Sequence, residues 1–104
     1  MSGLISPWKP DTDPRNLRPL GKCVEEICEA GAILARCIIQ GIEESEPVTG
    51  KPNRQAVQEE LADVQATTEI LIEHFALDRT AIAVRAMEKK ARLKAWFDMM
   101  ESGS

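Results

Sequence analysis

The stretch LGKCVEEICEAGAILARCIIQ, residues 20–40, contains the pattern that decides the fold class. Its apolar residues recur every three or four positions, which is the spacing of an amphipathic α-helix. Pro19 suits the first turn of a helix and Gly41 suits its end, so the sequence predicts a first helix from Pro19 to Gln40. No segment shows the two-residue alternation of a strand, and we therefore expect an all-α protein.

This first helix has two apolar sides. The predicted core face is a single stripe that comprises Leu20, Val24, Ile27, Gly31, Leu34, Ala35 and Ile38. A second stripe begins with Glu26 and Glu29 and continues through Ile33 and Cys37. The two carboxylates therefore point into a surface that becomes apolar one turn later, which a plain solvated face would not do.

Two more helices follow a long loop at residues 41–53. Asn53 is a good N-cap and predicts a second helix from Arg54 to Phe75, and Asp78 similarly predicts a third from Arg79 to Met99. The predicted core face of the second helix comprises Val57, Leu61, Val64, Thr68, Leu71, Ile72 and Phe75. That of the third comprises Ile82, Ala86, Leu93, Trp96, Phe97 and Met100.

The chain divides into an arm and one domain. Residues 1–18 hold three of the six prolines and are predicted to be an extended arm, in which Trp8 is expected to find burial against other residues. Residues 19–101 form a single helical domain. Two of the three predicted helices show apolar surface on more than one side, which a lone chain would leave partly in water, so we expect a bundle of three long helices per protomer, completed by oligomerisation.

Composition excludes several classes of protein. The 104 residues include 13 Lys+Arg and 17 Asp+Glu, for a net charge of −4, which argues against a general nucleic-acid binder. No apolar run is long enough to cross a membrane, and the N-terminus lacks a signal-peptide pattern, so we expect no membrane contact and a cytoplasmic protein. Cys23, Cys28 and Cys37 lack the spacing of a zinc site or a disulfide framework and are expected to be small buried thiols.

Two acidic pairs are the most informative motifs. Glu26 and Glu29 form an ExxE, and Glu60 and Asp63 form an ExxD on the next helix. Carboxylates at i and i+3 repel each other, so two such pairs on packed helices are costly unless a cation lies between them. Mg²⁺ is a hard cation that takes carboxylate oxygens together with substrate phosphates. A di-iron bundle would need Glu-x-x-His motifs, and the only histidine, His74, follows Leu71 at that spacing.

The strings EEICE at residues 25–29 and EELAD at residues 59–63 resemble the EExxE and ExxD signature of the MazG-like all-α nucleoside triphosphate pyrophosphohydrolases. The lead-in Leu20-Gly21-Lys22 and the linker PVTGKPNR, residues 47–54, resemble the corresponding parts of short members of that family. The basic residues of the last helix are also similar, although many members carry Asn near the position of Lys89. The resemblance covers about residues 20–97.

The resemblance implies an enzyme that cleaves a nucleoside triphosphate between the α and β phosphates, releasing a nucleoside monophosphate and pyrophosphate in nucleotide-pool house-cleaning. It implies a homodimer or homotetramer and Mg²⁺, with Mn²⁺ as the alternative. The implied metal ligands are Glu26, Glu29, Glu60 and Asp63, the implied catalytic residues are Glu25, Glu26 and Glu60, and the candidate substrate-binding cations are Lys22, Arg85, Lys89 and Arg92.

Two alternatives stay open at this point. The first is a related enzyme that acts on phosphoribosyl-ATP, which shares the fold and the four acids. The second is a catalytically idle helical assembly or regulatory module in which the acids are only surface charge. The sequence offers little to separate the first alternative from the nucleoside triphosphate enzyme, whereas the presence of all four acids weighs against the second.

Overall fold

Three α-helices make up the regular structure of the protein. The computed structural model describes residues 7–103, in which α1 spans Pro14–Gln40, α2 spans Asn53–Phe75 and α3 spans Arg79–Ser102. Within this range the extended backbone forms only one isolated bridge, between Ser45 and Pro52, and no strand. The prediction of an all-α protein is confirmed. None of the three helices combines the length and the apolar character that a membrane span requires.

Helix α1 starts five residues earlier than the sequence analysis predicted. Asp13 is its N-cap, with a side-chain oxygen that accepts a hydrogen bond from the backbone N–H of Arg15 at 2.9 Å, and Pro14 occupies the first helical turn. Pro19 therefore lies inside the helix. The extended arm predicted at residues 1–18 is too long at its C-terminal end, because residues 14–18 are helical; residues 1–6 of the arm lie outside the described part of the chain.

A contact between α1 and α2, which form a helical hairpin, stabilises the first turn of α1. The Nε2 atom of His74, near the end of α2, lies 2.7 Å from Oδ1 of Asn16 in α1. This hydrogen bond joins the start of one helix to the end of the other. Trp8, which precedes the helix, is 93% exposed, so the expectation that it packs against other residues is wrong for the single protomer.

Helices α1 and α2 pack against each other, but not through the predicted core face of α1. The buried residues of α1 are Cys23, Glu26 and Ala30, and Ile33 is half-buried on the same side. The expectation of buried thiols therefore holds for Cys23 but is wrong for Cys28, which is exposed. The predicted core face is exposed along its whole length, reaching 87% exposure at Ile38. Both stripes of α1 are apolar, and helical periodicity cannot tell which of two apolar stripes a single neighbouring helix will cover.

The α2 face is predicted more accurately. Ile72 is buried, and Val57, Val64, Thr68, Leu71 and Phe75 are half-buried, whereas Leu61 is exposed. Thr67, on the stripe that carries Glu60 and Asp63, is also buried, and its hydroxyl donates to the backbone carbonyls of Asp63 and Val64 at 3.1 Å. The acidic stripe of α2 therefore borders the helix interface, as it does on α1.

Asn53 holds the junction between α1, the loop and α2. Its side chain is fully buried, where its Nδ2 donates to the Gly41 carbonyl at 2.9 Å and to Oε1 of Gln40 at 3.3 Å. Its Oδ1 accepts from Nε of Arg36 at 3.1 Å. The prediction that Asn53 caps α2 is wrong: the cap position is Pro52, which makes no side-chain hydrogen bond, and Asn53 is the first helical residue.

Helix α3 begins where the sequence predicts but buries none of its residues. Asp78 caps it, accepting from the backbone N–H of Ala81 at 2.9 Å, and Arg79 bonds Glu69 of α2 at 2.6 Å. The helix continues three residues beyond the predicted end at Met99. It has no buried residue, so its predicted apolar face is exposed in the protomer.

The protomer is correspondingly extended. Its radius of gyration is 18.6 Å, whereas a compact domain of this length has about 13 Å. Its accessible surface is 8453 Å², whereas a compact monomer of the same mass exposes about 5,800 Å². The difference reflects the outer face of α1 and the whole of α3.

We expect Asn53→Ala to lower the free energy of unfolding by about 2–4 kcal/mol, because it removes a fully buried side chain together with three hydrogen bonds, one of them from a guanidinium. Urea titration followed by circular dichroism, at one protein concentration, measures this loss. The matched control is Gln55→Ala in the same turn, whose exposed amide bonds only Glu59, and it should change stability by less than about 0.5 kcal/mol. Equal losses for the two variants would contradict the anchoring role of Asn53.

Candidate metal centre

Three of the four predicted acids converge at the α1–α2 interface. Glu26, Glu60 and Asp63 each offer one carboxylate oxygen, and these three oxygens lie within 4.8 Å of one another. Glu26 comes from α1, whereas Glu60 and Asp63 stand one turn apart on α2. The helical spacing of the two motifs brings each pair to one side, and the packing of the two helices brings the pairs together.

Burial makes this acidic cluster unusual. Glu26 is only 7% exposed, and Glu60 is half-buried. The Oε2 atoms of Glu26 and Glu60 are both buried and have no hydrogen-bond partner. An ionised carboxylate oxygen in such a place costs free energy unless a donor or a cation satisfies it. The two unsatisfied oxygens, one from each helix, are the kind of donors that a hard divalent cation takes.

Glu29 lies at the rim of the cluster. It is exposed and is not among the three converging carboxylates. The negative charge of Glu26 raises the pKa of Glu29, and desolvation and the charge of Glu60 add to this effect. The fourth predicted ligand is therefore close enough to feel the other acids while remaining open to solvent.

Lys22 is the only predicted substrate-binding cation that the fold brings to these acids. Its Nζ lies 3.3 Å from Oε1 of Glu26 and 3.4 Å from Oε1 of Glu25. Glu26 and, to a lesser extent, Glu25 raise the pKa of Lys22. Glu25, predicted as catalytic, is exposed and lies beside Lys22 rather than inside the cluster.

The three predicted cations of α3 lie elsewhere in the protomer. Arg85, Lys89 and Arg92 are exposed, and within residues 7–103 none of them forms an ion pair or hydrogen bond with the acids of α1 or α2. Since α3 buries no residue against either helix, a single chain does not deliver these charges to the acidic cluster.

A different cation, which sequence reasoning missed, is held beside the cluster. Arg36 is half-buried, and it lines a cavity of about 260 Å³ together with Glu60. It lies seven residues after Glu29, which is nearly two helical turns, so the two residues share a side of α1. This spacing could have predicted from sequence that Arg36 lies near the acids. Its fixed position depends on Asn53, and that contact is a tertiary feature.

Comparison of the chain with protein-family models, with curated proteins and with solved structures finds no match. The resemblance to the MazG-like enzymes therefore depends on the sequence motifs alone, and the candidate site is defined by the geometry of the acids.

We expect Glu29→Gln to raise the melting temperature in EDTA at pH 7, because it removes one of the charges that repel each other. A raised carboxyl pKa means that protonation stabilises the fold below the unfolded-state pKa of about 4.3, and that this stabilisation is lost as pH rises through the folded-state value. The difference between variant and wild type should therefore be small near pH 4 and grow toward pH 7. Glu73→Gln, an exposed acid at the far end of α2, is the control. A pH-independent difference for Glu29→Gln would contradict this reading.

Proposed function

We propose that the protein is a Mg²⁺-dependent nucleoside triphosphate pyrophosphohydrolase that releases pyrophosphate and a nucleoside monophosphate. The observation that carries the proposal is the convergence of Glu26, Glu60 and Asp63, with two buried oxygens that lack a partner. The resemblance of EEICE and EELAD to the family signature supplies the reaction, and the geometry supports the metal-binding part of it.

The donor set suits the proposed cation. Glu26, Glu60 and Asp63 would hold Mg²⁺ through carboxylate oxygens, and Mn²⁺ accepts the same ligands. Bound there, the cation would neutralise phosphate charge and make a water molecule nucleophilic at neutral pH. Burial of Glu26 excludes water from one side of the site, which strengthens the attraction between its carboxylate and a bound cation.

The rim residues supply the remaining roles. Glu29 is exposed and lies outside the converging oxygens, which leaves its carboxylate available to accept a proton from the attacking water. Glu25 and Lys22 pair with each other, and Lys22 also contacts Glu26. Lys22 would exchange these contacts for a phosphate oxygen of the substrate once a metal neutralises Glu26.

We also propose that the active form is an oligomer, at least a dimer. The exposed outer stripe of α1 and the unpacked α3 exceed what a stable monomer leaves in water. The charges are complementary as well: α3 carries six basic and three acidic residues, whereas α2 carries one basic and five acidic residues besides His74. A neighbouring subunit would cover the apolar stripes and bring basic residues near the acids.

We expect Mg²⁺ to raise the melting temperature of the wild-type protein, because a ligand that binds only the folded state stabilises it. Glu60→Gln should lose most of this shift and most of its pyrophosphate release while keeping its helical circular-dichroism signal. Glu69→Gln, an exposed acid of the same helix that pairs with Arg79, should keep both. Wild-type protein that neither responds to Mg²⁺ nor hydrolyses any canonical or damaged nucleotide would be the idle module instead.

We expect light scattering at micromolar concentration to give at least twice the 11.5 kDa protomer mass. Ile38→Glu should shift the protein toward the monomer, because Ile38 lies on the exposed apolar stripe of α1. Val48→Glu is the matched control, since Val48 is equally exposed (90%) but lies in the loop away from that stripe. A monomeric wild type, or equal behaviour of the two variants, would contradict the proposed assembly.

A further inference from the structure

A cavity adjoins the acidic cluster on the side of the loop. It has a volume of about 260 Å³ and lies between α1, the loop and the first turns of α2, lined by Ile33, Arg36, Thr49, Lys51, Ala56 and Glu60. Glu60 belongs to both the cavity and the acidic cluster, so a ligand whose phosphates reach the cluster can extend into the cavity. The volume is slightly below the roughly 300–1,000 Å³ of pockets that hold a whole ligand, which suits one part of a nucleotide.

Arg36 is a hydrogen-bond donor with unused capacity in this cavity, whereas the unpartnered oxygen of Glu60 is an acceptor that the acidic cluster shares. Its Nε donates to Oδ1 of the fully buried Asn53, and this hydrogen bond fixes the position of the guanidinium. Within residues 7–103 its Nη1 and Nη2 atoms meet no acceptor at hydrogen-bond distance. A guanidinium only donates hydrogen bonds, and one that is already positioned loses little conformational entropy when a ligand binds. The ligand atom that faces it must be an acceptor.

The charges of the cavity argue against a phosphate as that ligand. Lys51 is neutralised by Glu59 at 2.6 Å. Glu46 also lines the cavity, and it stays ionised because hydrogen bonds from the Thr49 hydroxyl and from backbone N–H groups lower its pKa to about 2. Glu60 adds a further carboxylate. Carboxylates therefore outnumber cations, and a polyanion would be repelled.

A neutral, planar heterocycle fits these surroundings better. Ile33 and Ala56 offer apolar surface to the face of such a ring, which leaves its edge to the Arg36 guanidinium. The loop that closes the cavity is built to hold its shape, because Glu46 accepts hydrogen bonds from the backbone N–H groups of Val48 and Thr49 at 3.0 and 2.6 Å.

We propose that this cavity is the nucleobase subsite of the proposed enzyme, and that Arg36, positioned by Asn53, donates to a carbonyl oxygen of the base. This inference rests on the proposed function for the identity of the ligand. It makes Arg36 a specificity-determining residue, which selects bases with a carbonyl over bases with an amino group at the facing position.

The experiment compares pairs of substrates that differ at one ring position: inosine with adenosine triphosphate, and uridine with cytidine triphosphate. We expect wild type to favour the carbonyl member of at least one pair in kcat/KM. Arg36→Met should reduce that ratio about tenfold, mainly through KM, as expected for one charge-assisted hydrogen bond. Both substrates of a pair are assayed with the same enzyme sample. Loss of folded protein therefore lowers both kcat/KM values by the same factor and cancels from their ratio.

Two further variants sharpen the test. Arg36→Lys keeps the positive charge but not the planar fork, and it should also lower the ratio. Arg54→Met removes an exposed arginine that pairs with Glu43 and does not line the cavity, and it should leave the ratio as in wild type. Unchanged ratios in Arg36→Met would overturn the inference and leave the proposed function standing.

A binding measurement separates this inference from the activity. Calorimetric titration with inosine and adenosine monophosphates, and with inorganic pyrophosphate, needs no turnover. Loss of the preference for inosine monophosphate in Arg36→Met, with pyrophosphate affinity kept, supports the base subsite even if wild type releases no pyrophosphate and the proposed function fails. An equal loss of pyrophosphate affinity would assign Arg36 to phosphate and overturn the inference.

Discussion

The burial of the Glu26 carboxylate between α1 and α2 is the constraint on which the arrangement of the protein depends. Helix α1 has another apolar stripe that it could have packed against α2, yet the stripe that carries Glu26 is the one that is covered. Placing a charged group at a helix interface opposes folding unless that group is compensated. Lys22 compensates one of its oxygens, and the other oxygen has no partner. The unpartnered oxygen lowers the stability of the α1–α2 pair without a ligand, and the cation site that we propose would satisfy it.

The same choice of face leaves the protomer incomplete. Because the acidic stripe of α1 is used within the hairpin, the stripe with Val24, Ile27 and Ile38 stays in contact with water. Helix α3 is separated from the hairpin by a short turn at residues 76–78 and is exposed throughout. Its charge is opposite to that of α2. In the assembly that we propose, α1 therefore uses its acidic stripe to contact α2 of the same chain and its apolar stripe to contact another subunit.

The junction around Asn53 connects the helical scaffold with the cavity. One buried amide joins the end of α1, the loop and Arg36 by hydrogen bonds. The loop adds its own turn, with Gly50 at a φ of 77° and Glu46 bonded to the backbone that follows it. The amide of Asn53 is bonded through both its nitrogen and its oxygen, and this holds the Arg36 side chain in place while its Nη atoms stay open to the cavity. The loop thus adds a well-defined side to a cavity whose other walls are formed by α1 and α2.

The number, type and approximate bounds of the helices could be predicted from sequence because they depend on local chemistry. Asp78 caps α3 as predicted, since a cap needs only a side-chain oxygen next to the helix it starts. The start of α1 was missed because Asp13 and Pro14 form an equally good cap, and the prolines of the arm masked it. Asn53 was misassigned because its residue type suits a cap, whereas its side chain serves three partners distant from the start of α2.

The sequence by itself determined the two acidic pairs and their helical spacing, since i and i+3 residues share a side of any helix. Only the tertiary structure decided that three of the four acids converge, that Glu29 stays at the rim and that Arg36 rather than the α3 cations lies beside them. The physical reason is that periodicity defines faces within one helix but contains no information on which face meets which neighbour. That choice depends on the loop, on buried contacts such as Asn53 and on the packing of the whole molecule.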